Sequence, residues 1–355
     1  MKTIKKRIAL LTAALLVFSL CACGNSTTAA AASSDTTTVS AQTTAFSGDE
    51  SKAPAENGFP GQPPEGTPPG DPPEGFNGGP GGTPPGDPPD GFGGGPGGTP
   101  PGDPPEGFGG GTVTVDGGTY TSNGLGSPAI CSTADITVSN ATLTSNLSEG
   151  VCIEGLNSIT LNDCELTANN TQCNSNATFH DTIMIYQSMS GDAANGTSHF
   201  TMTGGSLTSK SGHVFHVTNT NAVITLEGVK IVNEDADDIL LSVCADGWSG
   251  GSNIAELKAV KQQLSGAVKV GSDSSLTLTL TEGSTFEGSV DGSITNARGE
   301  TVSTEVGTVS VTLDATSTWT LTGDSYITAF SGSAANVISN GYTLYVGGTP
   351  LPGTK

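Results

Sequence analysis

Two segments of this sequence carry residues that could perform acid–base chemistry on a sugar. Asp235, Asp237 and Asp238 form an acidic cluster, and His213 precedes them in the chain. Hydrolysis of a glycosidic bond requires a pair of carboxyl groups that flank the bond. If the protein is an enzyme, its predicted catalytic residues are Asp237, Asp238 and His213. The same three aspartates could instead provide oxygen ligands for a calcium ion, or belong to an ordinary solvated loop.

These segments resemble, in part, the polygalacturonases, which are right-handed β-helix enzymes. Residues 212–216, Gly-His-Val-Phe-His, resemble the glycine-histidine segment of that family, and residues 235–239, Asp-Ala-Asp-Asp-Ile, resemble its paired-aspartate segment. In that family the aspartates precede the histidine and an Arg-x-Lys follows, whereas this sequence has the reverse order and no such motif. Pectate lyases usually employ an arginine base, and Arg298 is the single arginine beyond residue 7. A polysaccharide-degrading β-helix enzyme is therefore the alternative prediction.

A second set of residues could hold a sugar without cutting it. Three of them are predicted to point outward from equivalent strands on successive repeats, and two more, Asp192 and His199, come from an insertion around residues 171–198. Loops that depart from a regular scaffold often carry function. Trp248 lies in a glycine-rich loop, where it could stack on a sugar ring or cap the edge of the fold. Unless they are ordinary exposed residues, the predicted ligand-binding residues are Glu154, Tyr186, Asp192, His199, His216 and Trp248.

The elements that would position these residues are short repeated strands. An apolar-Thr-apolar triplet recurs every 23 residues at 113–115, 136–138 and 159–161, and returns at 200–202, 224–226 and 319–321. Alternating apolar and polar residues predict strands, and strands that recur at a fixed period bury their apolar faces by stacking on the next copy. Left-handed β-helices built on hexapeptides have a shorter coil. The sequence therefore predicts an all-β fold, a right-handed parallel β-helix of seven to nine coils in residues 112–355. One short helical turn is predicted near residues 254–264.

The same repeat predicts the direction of individual side chains. The first apolar position of each triplet should form an inward ladder of Val113, Ile136, Ile159, Phe200 and Ile224. Trp319 occupies an equivalent position and is predicted to be a core residue. The intervening threonines should point outward, namely Thr114, Thr137, Thr160, Thr201 and Thr225. Threonine arrays also occur in ice-binding solenoids, but only one threonine per strand repeats here, so strand propensity and cross-strand pairing explain them more simply. A further ladder is predicted from Asn123, Asn146 and Asn169.

Five cysteines lie in residues 112–355, and their spacing fits no zinc site. There is no Cys-x-x-Cys motif and no matching pair of histidines. Cys131 and Cys152 occupy equivalent places on successive coils. The sequence leaves open whether these two form a bridge or all five thiols are reduced.

The N-terminal residues predict export and a lipid anchor. Four basic residues among the first seven precede an apolar run at residues 8–20, which is the pattern of a secretory signal. The next residues, Leu20-Cys21-Ala22-Cys23-Gly24, resemble the bacterial lipobox. This resemblance implies that residues 1–22 are a lipoprotein signal peptide and that Cys23 carries the lipid, rather than an ordinary cleaved signal followed by a coincidental cysteine. Two acyl chains suffice for stable anchoring.

Residues 23–111 are predicted to form a disordered linker. Of the 21 prolines, 18 lie between Pro54 and Pro105, and a Thr-Pro-Pro-Gly-Asp-Pro-Pro repeat begins at Thr67, Thr83 and Thr99. Proline lacks a backbone donor and glycine adds conformational freedom, so neither helix nor sheet can propagate through such a segment. At full extension the linker would reach on the order of 270 Å, which is enough to carry a domain through a thick cell wall.

The order of lipobox, proline-rich linker and acidic β-solenoid resembles the surface lipoproteins of Gram-positive bacteria, some of whose β-helix domains bind plant or cell-wall polysaccharide. The resemblance implies a lipid-anchored protein on the outer face of the plasma membrane, with a non-catalytic, adhesin-like domain displayed at the cell surface. Its predicted partner is a polysaccharide or a host or cell-wall surface, and it contacts the membrane only through its anchor. Nucleic acid is disfavoured, because residues 112–355 hold seven basic residues against 23 acidic ones. No cofactor is predicted, apart from the calcium ion considered above.

Overall fold

A computed structural model describes residues 37–40, 112–132, 134–173, 176–188, 193–247 and 251–355. The signal peptide, Cys23 and nearly all of the predicted linker lie outside these residues. The regular secondary structure of this part is almost entirely strand, with one short 3-10 helix at Ala334–Asn336. No helix within it is long and apolar enough to cross a membrane.

The strands are short, most of them between three and eight residues long. In chain order they are β1 (Thr37–Ser40), β2 (Thr112–Asp116), β3 (Thr119–Ser122), β4 (Ile130–Ser132), β5 (Asp135–Ser139), β6 (Thr142–Ser145), β7 (Val151–Glu154), β8 (Ser158–Asn162), β9 (Glu165–Ala168), β10 (Asp181–Tyr186), β11 (Thr197–Thr203), β12 (Ser206–Ser209), β13 (His213–Thr218), β14 (Thr220–Glu227), β15 (Lys230–Asn233), β16 (Ile239–Val243), β17 (Asn253–Val260), β18 (Gln263–Ser265), β19 (Ala267–Val270), β20 (Ser274–Thr281), β21 (Thr285–Gly288), β22 (Val290–Asp291), β23 (Ile294–Thr295), β24 (Thr301–Ser303), β25 (Thr308–Leu313), β26 (Thr318–Leu321), β27 (Ser325–Ile327), β28 (Ala329–Ser331), β29 (Val337–Ile338), β30 (Leu344–Val346) and β31 (Thr349–Pro350).

The strands build long parallel sheets in which each strand pairs with one from the next repeat. The ten-stranded sheet has the order β1-β2-β5-β8-β11-β14-β17-β20-β25-β28, and the seven-stranded sheet runs from β22 through β19, β16, β13, β10 and β7 to β4. A five-stranded sheet (β15-β12-β9-β6-β3) and a four-stranded sheet (β18-β21-β26-β29) supply further faces. From β2 onward the chain therefore visits three faces in turn, which is consistent with a parallel β-helix. Strand β1 lies within the segment predicted to be a disordered linker and pairs with β2.

The predicted inward ladder is confirmed by the register of the ten-stranded sheet. Val113 pairs with Ile136, and Ile136 pairs with Ile159. The ladder continues through Phe200 and Ile224. From Ile159 onward these side chains are fully buried. Burying an aliphatic or aromatic side chain contributes about 1.5–3 kcal/mol, so successive coils provide a core that one coil could not form alone.

Two sequence predictions need correction. The helical turn near residues 254–264 is wrong, because β17 occupies most of this segment and pairs in parallel with β14 and β20. Trp319 is fully buried, as predicted, but it lies in the four-stranded sheet and stacks on Phe286 with ring centroids 5.4 Å apart. The ladder position of that coil in the ten-stranded sheet is taken by Val311. An excursion between β22 and β25 lengthens this part of the chain, so residue spacing alone assigns Trp319 to the wrong face.

Corners of the fold depend on left-handed backbone conformations. Asn140, Asp163, Lys261 and Glu282, which follow strands of the ten-stranded sheet, all have φ between 48° and 56°. Gly205 also has a positive φ, and a Cβ at this position would overlap the backbone of Cys164, one coil earlier. Glycine is therefore required at this corner by space as well as by conformation.

The predicted asparagine ladder is present in its first step. The Asn146 side-chain amide donates to Asn123 Oδ1 over 2.7 Å. Asn169 follows one coil later, and its Oδ1 accepts a hydrogen bond from Ser211. These contacts join neighbouring corners of the stack to one another.

Candidate functional site

The outer face of the ten-stranded sheet carries one continuous row of polar side chains. The register places nine residues directly beside one another on nine successive strands. Seven are threonines, one is a serine and one is a lysine. We call these residues the threonine row: Thr114, Thr137, Thr160, Thr201, Thr225, Lys258, Thr279, Thr312 and Ser331. All are half-buried or exposed.

His199 lies on the same outer face, two residues before Thr201 on β11. Its side chain is exposed, and its neighbours in register are Ser158 and Val223. The ammonium group of Lys258 lies 3.1 Å from a carboxylate oxygen of Glu256, and both side chains are exposed by more than a third. The threonine row thus offers hydrogen-bond donors and acceptors at regular intervals along this face.

The other predicted ligand-binding residues lie on the seven-stranded sheet or outside the described residues. Glu154 pairs with Tyr186, and the Tyr186 hydroxyl donates to Glu154 Oε2 over 3.3 Å. The residue beside Tyr186 on the next strand is Thr218, whereas His216 pairs with Met184. His199 belongs to the other sheet. The described residues do not include Asp192 or Trp248.

The expectation that these three outward side chains form an exposed patch is wrong. Glu154 is 4% exposed, Tyr186 is 7% exposed and His216 is fully buried. They do leave the coil on its outer side, but the insertion around β10 folds back over the seven-stranded sheet. Its residues 193–194 contact the corner at Gly155, and Phe179 lies against His216. Binding of a ligand by these residues stays a prediction.

Beneath this cover lies a cluster of four polar side chains, which we call the buried polar cluster: His213, His216, Ser242 and Asp246. Ser242 Oγ lies 2.7 Å from Nδ1 of His213 and 2.7 Å from Nδ1 of His216. His216 Nε2 lies 3.5 Å from Asp246 Oδ2, and neither of these two side chains is exposed. Burial, followed by the neighbouring His216, lowers the pKa of His213 to about 3. His213 is therefore neutral at physiological pH.

Residues 177–179, which we call the covering segment, close this cluster. Asp246 Oδ1 accepts hydrogen bonds from the backbone N–H of Thr178 over 2.7 Å and from its hydroxyl over 2.6 Å. The Phe179 ring lies 4.5 Å from the His216 ring and 5.3 Å from the His213 ring, measured between centroids. All three residues of the segment are buried.

A hairpin formed by β23 and β24 holds the covering segment from the other side. The Ala297 backbone N–H donates to Thr178 O over 2.9 Å, and the Arg298 guanidinium donates to Ala177 O over 3.1 Å. Ile294 of the hairpin packs with Phe179 and Cys244. The covering segment is thus clamped between two parts of the chain that are distant in sequence.

The predicted catalytic residues differ in environment. His213 is buried and bonded to Ser242, whereas Asp237 and Asp238 are exposed. Asp235 accepts backbone hydrogen bonds, from Gly212 over 2.7 Å and from Asp237 over 3.0 Å. His213, the histidine predicted to act with these aspartates, is therefore not accessible beside them.

Nor do the described residues contain a group of three or more His, Cys, Asp or Glu side chains placed to hold a metal ion. Asp235, Asp237 and Asp238 belong to that part of the chain. The arrangement of these aspartates does not support the calcium prediction.

Sequence reasoning missed Ser242, Asp246 and Phe179. Ser242 follows His216 by 26 residues, close to one coil, so the repeat could have placed it beside that histidine. Nothing in the local sequence indicates that Asp246 and Phe179 contact the same histidine. No family model, curated protein or solved structure matches this chain.

Proposed function

We propose that this protein is a lipid-anchored surface protein whose β-helix binds an extended polysaccharide without cutting it. Cys23 holds the lipid at the outer face of the plasma membrane, the proline-rich linker spans the cell wall, and the right-handed coils of residues 112–355 present the binding face. The observation that supports this proposal is the threonine row, which runs in register over nine strands.

The regularity of the row favours a polymer as its ligand. Neighbouring strands are about 4.8 Å apart, so nine positions extend over about 40 Å. Each threonine hydroxyl can donate one hydrogen bond and accept others. A small sugar usually occupies a concave pocket, whereas a regular row of similar polar groups matches a chain of repeating sugar units. His199 and Lys258 add donors on the same face.

The environment of the catalytic candidates supports binding without hydrolysis. A glycosidase needs two carboxyl groups on either side of the bond in an accessible cleft. Asp237 and Asp238 are exposed, and the histidine nearest to them in the prediction, His213, is closed under Phe179.

The fold provides a matched experiment. The triple variant Thr137→Val, Thr160→Val, Thr201→Val removes three hydroxyls from the row while keeping β-branched side chains. The control replaces Thr144, Thr167 and Thr208 with valine; these residues are neighbours in register on the five-stranded sheet, in the same three coils, and are equally half-buried.

Binding of the full-length protein to insoluble plant and bacterial cell-wall polysaccharides would be measured by co-sedimentation, with release of reducing ends assayed in the same samples. A lost hydrogen bond costs about 0.5–1.5 kcal/mol, so the row variant should bind at least about tenfold more weakly and the control should bind like the wild type. Equal binding by the two variants would exclude the row as the binding face. Release of reducing ends would show that the protein is an enzyme.

A further inference from the structure

The buried polar cluster has a limited capacity for protons. The Ser242 hydroxyl lies between two imidazole nitrogens, each 2.7 Å away. A hydroxyl has one hydrogen to donate and lone pairs with which to accept. Ser242 can therefore bond both histidines only if one Nδ1 accepts its hydrogen and the other Nδ1 donates to its oxygen.

Asp246 fixes the direction of these bonds at neutral pH. Burial would raise the pKa of this carboxyl, but the contact with His216 and hydrogen bonds from Thr178 and Gly247 outweigh burial, so the pKa is lowered. An ionised carboxylate only accepts hydrogen bonds, so His216 carries its hydrogen on Nε2, facing Asp246. With one hydrogen on His216, at Nε2, the His216 Nδ1 accepts from Ser242, and His213 donates from its own Nδ1 to Ser242.

The cluster can take up one proton without losing a contact, but it cannot take up two. If His216 is protonated, its Nδ1 becomes a donor; the Ser242 hydroxyl then turns to His213, whose hydrogen moves from Nδ1 to Nε2 so that Nδ1 can accept. If both histidines are protonated, Ser242 faces two donors and its own hydrogen has no acceptor. Two cationic rings would also lie 6.3 Å apart at their centroids, inside a region from which water is excluded.

The surrounding charges do not remove this conflict. His216, His180 and Lys269 oppose a positive charge on His213, and Asp235 favours one. The effect of burial is larger than any of these. His216 faces Asp246, a single carboxylate that can balance one positive charge but not two.

We propose that the buried polar cluster is an acid-sensitive switch, which keeps the covering segment closed at neutral pH and releases it in mild acid, because the closed cluster cannot hold an added proton on both histidines. Release moves Phe179 away from the two imidazole rings and admits water to them. The switch lies on the seven-stranded sheet. It goes beyond the polysaccharide-binding function and does not depend on it.

The sign of the pH effect follows from proton binding. In the closed form the pKa of His213 is about 3, whereas a solvated histidine has a pKa of about 6.5. The open form therefore binds more protons between these values, and acid shifts the equilibrium toward it. From pH 7 to pH 5 the open population should rise by about 25-fold through His213 alone.

Asp181 would give opening a pH dependence opposite to that of His213. Burial, with Glu149 and Asp246 contributing, raises the pKa of Asp181 well above its usual value. This carboxyl keeps its proton while it is buried and would lose it if the opening admitted water to it. Opening would then become easier as the pH rises, so the variant Asp181→Asn separates the two effects.

Cys244 is a natural reporter of opening. It is a free thiol, 1% exposed, and packs against Phe179 and Ile294. Cys164 is also a free thiol, but it is fully buried inside the coils and becomes accessible only when the coils themselves unfold. Labelling of the full-length protein with 4,4′-dithiodipyridine, which reacts in acid, would be followed at each cysteine by peptide mass spectrometry. Rates would be corrected with a small reference thiol.

We expect labelling of Cys244 to accelerate by about 25-fold between pH 7 and pH 5, while Cys164 stays protected. In His213→Gln the acceleration should disappear, because glutamine can still donate to Ser242 but takes up no proton. His180→Gln, at a neighbouring histidine outside the cluster, and Asp181→Asn should both keep the response.

Three results would overturn the proposal. They are a corrected Cys244 rate that does not change with pH, parallel labelling of Cys244 and Cys164, and an unchanged response in His213→Gln. If His213→Gln fails to fold, the comparison of Cys244 with Cys164 in the wild type still decides the matter.

Discussion

Replacing Phe179 with alanine should open the covering segment while leaving the coils folded. Phe179 is 2% exposed and packs on the outside of the seven-stranded sheet, against His213 and His216. Truncation of a buried phenylalanine costs about 3–5 kcal/mol. Because the side chain belongs to an inserted segment and not to a ladder, its loss should lower the free energy of local opening of that segment and leave the free energy of unfolding of the coils unchanged.

Hydrogen exchange of the full-length protein, read by mass spectrometry, would measure this effect. A loss of 3–4 kcal/mol corresponds to exchange about 100- to 1,000-fold faster at residues 177–179. Strands β8 and β11 should keep their protection. Phe286→Ala is the contrasting variant, because Phe286 is buried inside the coils against Trp319 and its loss should weaken the coil strands. If Phe179→Ala lowers protection equally throughout the solenoid, or leaves residues 177–179 unchanged, the segment does not open as a separate unit.

Two further predictions concern the coils, and both can be checked by denaturant unfolding. Gly205→Ala should destabilise the protein by more than Gly228→Ala. Both glycines have a positive φ, but a Cβ at Gly228 meets no atom within 4 Å. Gly228→Ala should therefore lower the free energy of unfolding by only about 1–2 kcal/mol. Equal losses would contradict the steric argument. Gln262→Leu should cost about 2–5 kcal/mol, because the buried Gln262 side chain bonds both the N–H and the carbonyl of Val229 over 2.8 Å. The control is Gln263, the exposed residue next to Gln262. Gln263→Leu should change the free energy of unfolding by no more than about 0.5 kcal/mol.

The sequence determined the stacked repeat. Its apolar-Thr-apolar triplets recur every 23 residues, and alternation along a strand assigns one face to the core. Because every coil meets the next in the same register, the triplets at Val113, Ile136 and Ile159 were enough to predict the ladder and the outward threonines beside it. Trp319 is buried as predicted, but its spacing assigned it to the wrong sheet, because an excursion of the chain lengthens that coil.

The tertiary structure decided which outward side chains meet solvent. Alternation predicts that Glu154, Tyr186 and His216 leave the coil, and they do, but it cannot show what lies over them. That depends on contacts such as the one from Arg298 to Ala177, which joins residues 121 positions apart. Strand periodicity is a local property of the chain. Burial of an outward face depends instead on contacts with segments that are distant in sequence, and the spacing of nearby residues does not predict those contacts.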